Sequence, residues 1–343
     1  MSAVAVFVDL LAGRRETATL GPRDWDGVIG VARSEAMLAT LAHRLEGATV
    51  PPAVAALFAD QRAAAQVAQR QALWEAEMAR RALAPVGIEF VLLKGAAYAA
   101  AGMGCAAGRQ IGDLDILVLA TDIRRAENAL LKAGWEWVKS DPYDDHYYRA
   151  HMHELPPMIH KARDRMIDVH HTILPKTHRI TPDALALVSD AVETGSGFRV
   201  LSPPAMLCHS AAHMLADGDL QGGLRNLWDI HCMTVGFLAD DPDFYLTLME
   251  EAHVHGLTDV VRRGLRLAQR LYGTPLRSYR TPMTVEFEPE WADQFYIRRL
   301  LARDDWGRMT RPLLEQVFYI RSHWLRMPPA MLAKHLWTKW RKG

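Results

Sequence analysis

Cysteine is scarce. Cys105, Cys208 and Cys232 are the only three in 343 residues, they lie far apart, and no CxxC occurs. Neither a disulfide framework nor a thiolate zinc site is expected, and a reducing cytoplasm is the simplest setting. Net charge is also missing: 40 Lys+Arg balance 40 Asp+Glu. No overall field therefore draws the chain to a membrane or to nucleic acid. A polymerising role on nucleic acid would need a basic stripe that this composition does not supply. No apolar run reaches the roughly 18–20 residues that cross a bilayer. The opening MSAVAVFVDLLAGRRE has no basic region ahead of its apolar run and carries Asp9 inside it, so no signal peptide is expected. Repeats and low-complexity tracts are absent. With 50% hydrophobic and 23% charged residues, an ordinary soluble globular chain of one large or two modest domains is expected.

What is present falls into three stretches. Residues 1–84 read as helical, with segments 25–45 and 52–83 rich in Ala, Leu, Arg, Gln and Glu and broken by Pro51-Pro52. The alanine-rich second segment lacks a sustained heptad of large apolar residues, which favours a packed helix over a coiled coil. Residues 85–200 turn to α/β character. Strands are expected over 88–93, 114–119, 135–139 and 165–173, a helix over 122–133 stopped by Gly134, and a strand or lid over 151–159. The segment 143–149, YDDHYYR, is polar and aromatic. Residues 201–343 return to helix over 203–217, 220–238, 242–255, 258–272, 291–301 and 311–326.

Chemistry concentrates in residues 90–119, FVLLKGAAYAAAGMGCAAGRQIGDLDILVL. A buried strand should stop at the Lys94-Gly95 turn and give way to a small-residue helix. Backbone N–H groups at a helix start, with a lysine beside them, suit a phosphate. In the strand that opens with Asp113 and Asp115, residues i and i+2 share a face. Two carboxylates then project side by side, their Cα atoms about 7 Å apart, an arrangement suited to hard divalent cations such as Mg²⁺. The outline is that of metal-dependent phosphoryl or nucleotidyl transfer.

Leu92-Leu93-Lys94-Gly95-Ala96, then Arg109, Gly112-Asp113-Leu114-Asp115-Ile116-Leu117-Val118 and finally Ile167-Asp168-Val169-His170 together resemble a family of uncharacterised bacterial nucleotidyltransferases. That family lies within the wider DNA-polymerase-β-like superfamily, whose usual Gly-Gly or Gly-Ser is replaced here by Lys94-Gly95. The resemblance implies an α+β fold: a small mixed-sheet nucleotidyltransferase core over 85–200, flanked by an N-terminal helical region, 1–84, and a C-terminal helical domain, 201–343. It implies Asp113, Asp115 and Asp168 as catalytic carboxylates and metal ligands, holding Mg²⁺ or Mn²⁺ ions about 3.5–4 Å apart in a two-metal scheme. Lys94, Gly95 and Arg109 would receive the triphosphate. The expected reaction moves NMP from an NTP, ATP by default, to a small-molecule, peptide or sugar acceptor and releases pyrophosphate. A non-catalytic nucleotide-binding module, or a peptide- or sugar-modifying transferase using the same metal site, remains open beside it.

Other signals have plainer readings. Lys94 and Arg109 would either contact phosphate or pair with the aspartates. His170 shares a strand face with Asp168 and would orient a ligand or simply pack. His209 and His213 have the i, i+4 spacing of two zinc ligands, but no glutamate follows His209 as in HExxH, so a structural or nucleotide-side role is preferred. Arg225 and Asp229, also i, i+4, most simply form a helix salt bridge, and the same family carries a similar R-x-x-x-D feature. The tail RSHWLRMPPAMLAKHLWTKWRKG interleaves Trp324, Trp337 and Trp340 with basic residues. It is expected as a packed terminal helix, with peripheral contact to an anionic surface as the alternative.

Overall fold

The computed structural model describes residues 1–138, 142–276, 290–328, 332 and 337. Most of the segment 274–289 and most of the basic tail lie outside the described residues, as does Lys139 in the expected third strand.

The N-terminal part forms four helices: α1 (Ala3–Leu11), α2 (Pro22–Ser34), α3 (Leu38–Arg44) and α4 (Pro52–Leu83). The expected helix over 25–45 is two helices, because the chain turns at Glu35–Met37 and Ala36 adopts a left-handed φ of 51°. Proline at the first turn starts both α2 and α4, where its missing N–H costs nothing. The 32-residue α4 buries Val54, Phe58, Ala65, Ala72, Ala76, Ala79 and Leu83. It packs against α3 and runs under the sheet as a packed helix.

The middle part holds β1 (Val91–Leu92), α5 (Lys94–Ala100), β2 (Asp113–Leu117), α6 (Ile123–Lys132), β3 (Trp135–Trp137), α7 (Pro142–His151), β4 (Met158–His160), β5 (Met166–His170), α8 (Ala184–Ser189), β6 (Val192–Glu193) and β7 (Arg199–Val200). The YDDHYYR segment lies within a helix, α7. The seven strands form one mixed sheet in the order β3-β4-β5-β2-β1-β7-β6. At its centre β2 runs parallel to β5 and antiparallel to β1. Leu114 and Ile116 of β2 and Ile167 and Val169 of β5 are buried. Period-two alternation turns Asp113 and Asp115 to the opposite face.

Among the described residues six further helices follow: α9 (Pro203–Ala212), α10 (Gly223–Asp240), α11 (Phe244–Val254), α12 (Thr258–Tyr272), α13 (Asp293–Leu300) and α14 (Pro312–Arg326). A π turn, His213–Asp217, extends α9. Buried apolar side chains form one cluster from Ala3 to Phe318, drawing on all three stretches of the chain. The architecture is α+β, a mixed sheet flanked by helices. Among the described residues no helix is long and apolar enough to cross a membrane.

Candidate active site

The register of β2 against β5 sets Asp115 directly opposite Asp168. Parallel neighbours at the same register carry their side chains on the same face, and Asp113 joins them two residues along β2. Carboxylate oxygens of Asp113, Asp115 and Asp168 lie within 4.8 Å of one another. Asp115 is buried, whereas Asp113 opens to solvent at the strand's end. Oδ1 of Asp168 is buried and makes no hydrogen bond.

Such a cluster needs positive charge, and the chain supplies part of it. Lys94 Nζ donates to Asp115 Oδ1 at 2.6 Å, and the His170 Nε2 lies 3.0 Å from the same oxygen. Lys94 reaches it from the first residue of α5, where its φ is +49°, an uncommon conformation for a residue with a Cβ. The backbone ties the turn to the same place, since the N–H of Leu93 donates to the Asp115 carbonyl at 3.0 Å. Burial by itself would discharge both partners, but Asp115 beside Lys94 holds the ammonium above its usual range. In turn Lys94 and His170 outweigh burial at Asp115 and keep that carboxyl well below the usual carboxylate range.

Asp168 behaves in the opposite way. Burial, reinforced by the charges of Glu154 and Asp115, pushes its carboxyl up to about 7. Asp113 reaches solvent, yet the protein packed around its stem and the Asp115 charge still move it upward. Protons and cations compete for such oxygens. An unpartnered buried carboxylate oxygen beside two further carboxylates fits a hard divalent ion, the donor set such ions prefer.

Arg109 does not pair with the site aspartates, one of its two expected partners. It pairs with Asp229 of α10 and lies over the Tyr98 ring, 5.3 Å from its centre, and not against Asp113 or Asp115. Burial disfavours its charge, but Asp229 more than compensates. This pair also corrects the expected Arg225–Asp229 helix bridge. Asp229 is taken by Arg109, while Arg225 Nε donates to the Glu35 carbonyl at 3.4 Å. Gly95 is explained by the same packing. A Cβ there would meet Arg109 Nε at 2.9 Å and Ile111 Cγ1 at 3.2 Å, so the turn closes over the arginine only with glycine.

Histidines crowd the inner side of the carboxylates. His209 and His213 on α9 and its π turn are set by burial, then by the nearby Lys94 charge, far toward the neutral imidazole. For His213 the value is about 3. His153 is driven the same way, by burial and the neighbouring His170. His153 and Glu154 carry no recognisable sequence signal, because the segment that bears them only becomes part of the sheet by pairing Glu154 with His170. A cavity of about 430 Å³ lies elsewhere, lined by Met103, Val200, Pro203, Met206, Cys232 and Phe237 among others. Its size does not mark the chemistry, since none of the site carboxylates line it.

The sheet with carboxylates on two central parallel strands has the form of a nucleotidyltransferase fold. Comparison with protein-family models narrows this: the model described as "Uncharacterised nucleotidyltransferase" matches residues 21–273. The chain belongs to that family. No curated protein and no solved structure matches it.

Proposed function

We propose that this protein is a Mg²⁺- or Mn²⁺-dependent nucleotidyltransferase that moves NMP from an NTP, with ATP the default donor, to a hydroxyl or phosphate of a small-molecule, peptide or sugar acceptor, releasing pyrophosphate. One observation carries the reading: three carboxylates from adjacent parallel strands converge, and one of their buried oxygens has no partner. Asp113, Asp115 and Asp168 would hold the divalent ions. Asp115 would offer Oδ2, since Lys94 and His170 already occupy Oδ1. A bound divalent ion supplies charge for the triphosphate and a lowered pKa for the acceptor hydroxyl.

The chain's own groups do the remaining work. Besides ligating an ion, Asp168 would help take the acceptor's proton, a role carboxyl groups can fill. Lys94, on the rim of the cluster with its side chain 22% exposed, meets the phosphates as a point charge. Gly95 holds the turn beside it. Arg109 contributes to the phosphate side mainly by positioning, through its fixed place under Gly95. Neutral His209, buried, and His213, half-buried, would wall the inner side against water. The helical parts 1–84 and 201–343 would flank and close the 85–200 core. As usual for phosphoryl chemistry, catalysis would be positioning and charge stabilisation.

The test is pyrophosphate release from each common NTP with Mg²⁺ or Mn²⁺, for wild type beside Asp113→Asn/Asp115→Asn. Release that disappears in the double variant supports transfer and names the base. Release that persists undiminished rejects the carboxylate assignment. If wild type releases none but binds an NTP with metal by calorimetry, the reading shifts to a nucleotide-binding module.

A further inference from the structure

A second cluster sits behind the carboxylates. The segment after α7 returns to the sheet and pairs antiparallel with the end of β5. The N–H of Leu155 donates to the Val169 carbonyl and that of His171 to the His153 carbonyl, both at 2.9 Å. These bonds frame Glu154 and His170 as a directly opposed, non-hydrogen-bonded pair, the kind whose side chains stand closest.

His170 Nε2 faces Asp115 Oδ1, which already accepts from Lys94. An ionised carboxylate only accepts, so Nε2 carries a hydrogen and Nδ1 is the ring atom turned toward Glu154. Nδ1 lies 3.4 Å from Glu154 Oε2, buried and without a hydrogen bond. His153 adds a third donor atom: its Nε2 lies 3.9 Å from the same Glu154 oxygen, and its buried Nδ1 is without a partner. Ligand atoms of all three residues fall within 4.8 Å of one another.

We infer that His153, Glu154 and His170 form a second cation site, distinct from the Asp113/Asp115/Asp168 cluster, for a borderline transition-metal ion such as Zn²⁺. Two imidazoles and one carboxylate select that class over Mg²⁺. Tetrahedral ligands at about 2.0–2.1 Å stand about 3.3 Å apart along an edge, close to the Glu154–His170 separation. The His153 and His170 rings stack with centres 5.2 Å apart and planes inclined at 27°, so a turn of the His153 side chain would complete the set.

The fourth position is open to water or a ligand. An ion on Nδ1 locks the His170 tautomer whose Nε2–H holds Asp115, making a carboxylate–histidine–metal relay. The second site thereby orients a carboxylate of the first.

The experiment reads metal directly and does not depend on nucleotidyl transfer. Metal-free, full-length protein is titrated with Co²⁺, followed by its visible d–d absorption, and then with Zn²⁺ in competition. One equivalent of Co²⁺ with the strong bands of low coordination, displaced by Zn²⁺, is expected. His153→Ala and the near-isosteric Glu154→Gln should each weaken binding at least roughly 10–100-fold, the loss that even outer partners of a metal site produce. Asp113→Asn, at the other cluster, should retain the bands. Circular dichroism checks that each variant is folded, and Glu154→Gln guards against a misfolded His153→Ala. The inference is overturned if wild type gives no such bands, in which case a proton bridges Glu154 and His170. It is equally overturned if both folded variants bind as wild type does.

Discussion

At the scale of single residues, the tightest constraint is that Asp115 serves two purposes. It belongs to the carboxylate cluster and it also neutralises Lys94. Asp115→Asn is therefore expected to abolish turnover and to lose stability, on the order of 3 kcal/mol, because it leaves a mostly buried ammonium unpaired. Asp113→Asn should lose activity with little change in stability, since Asp113 stands at the open end of β2. Urea unfolding of the two variants beside wild type separates these effects. Asp168 gives a pH prediction with a definite sign. Its carboxyl has an ordinary value of 3.8 and is held near 7 in the fold, so between those values the native state binds more protons than the unfolded one. Its own contribution to stability in chelator falls as pH rises through that window and levels off above about 7, against the opposite slope set by the neutral His153, His209 and His213, and is read as the difference between wild type and Asp168→Asn. Divalent-ion affinity should run the other way, rising toward about pH 7 as the ion displaces the proton.

At the scale of elements, the Arg109–Asp229 pair links the loop before β2 to α10. Removing only the acid by Asp229→Ala leaves a buried guanidinium uncompensated and is expected to cost about 3–5 kcal/mol. Replacing both by Arg109→Met/Asp229→Leu should recover much of that loss. A double variant as unstable as Asp229→Ala would mean that the pair is not the source. Gly95→Ala acts on the same contact from the side, because the added Cβ must displace Arg109. A loss of about 1–3 kcal/mol from overpacking is expected, and it should shrink in an Arg109→Ala background. The extension of α9 by a π turn changes the register of the residues after His213 and places Asp217 3.5 Å from Arg326. Irregular turns of this kind recur at functional sites.

At the scale of the whole molecule, the buried cluster that joins α1 to α14 predicts cooperative behaviour. Calorimetry should give a single unfolding transition, and residues 85–200 expressed alone should lack the near-ultraviolet signature of fixed packing. The sheet in that segment has its inner face covered by α4 and its site approached by α9. Separate transitions for 1–84 and 201–343 would count against this. Local pattern determined a good deal: the helix limits of α4, α12 and α14, the strand of alternating Asp113 to Leu117, and the facing of Asp113 and Asp115. Each follows from periods, caps and prolines that act within a few residues. The two-residue strands β6 and β7 and the helix α7 were not legible, because so few residues carry no period of their own and depend on neighbours for their bonds. Nor could the chain by itself decide between partners. Whether Lys94 and Arg109 meet phosphate or carboxylate, and whether Asp229 bonds Arg225 or Arg109, depends on which charges are brought together from 21 to 120 positions apart. The same holds for Glu154, an unremarkable acid in the sequence that becomes His170's neighbour only once the sheet forms. The sequence alone determined which groups could do the chemistry. Tertiary structure decided which were charged, paired or left without a partner, since burial and distance set those energies and both are properties of the fold.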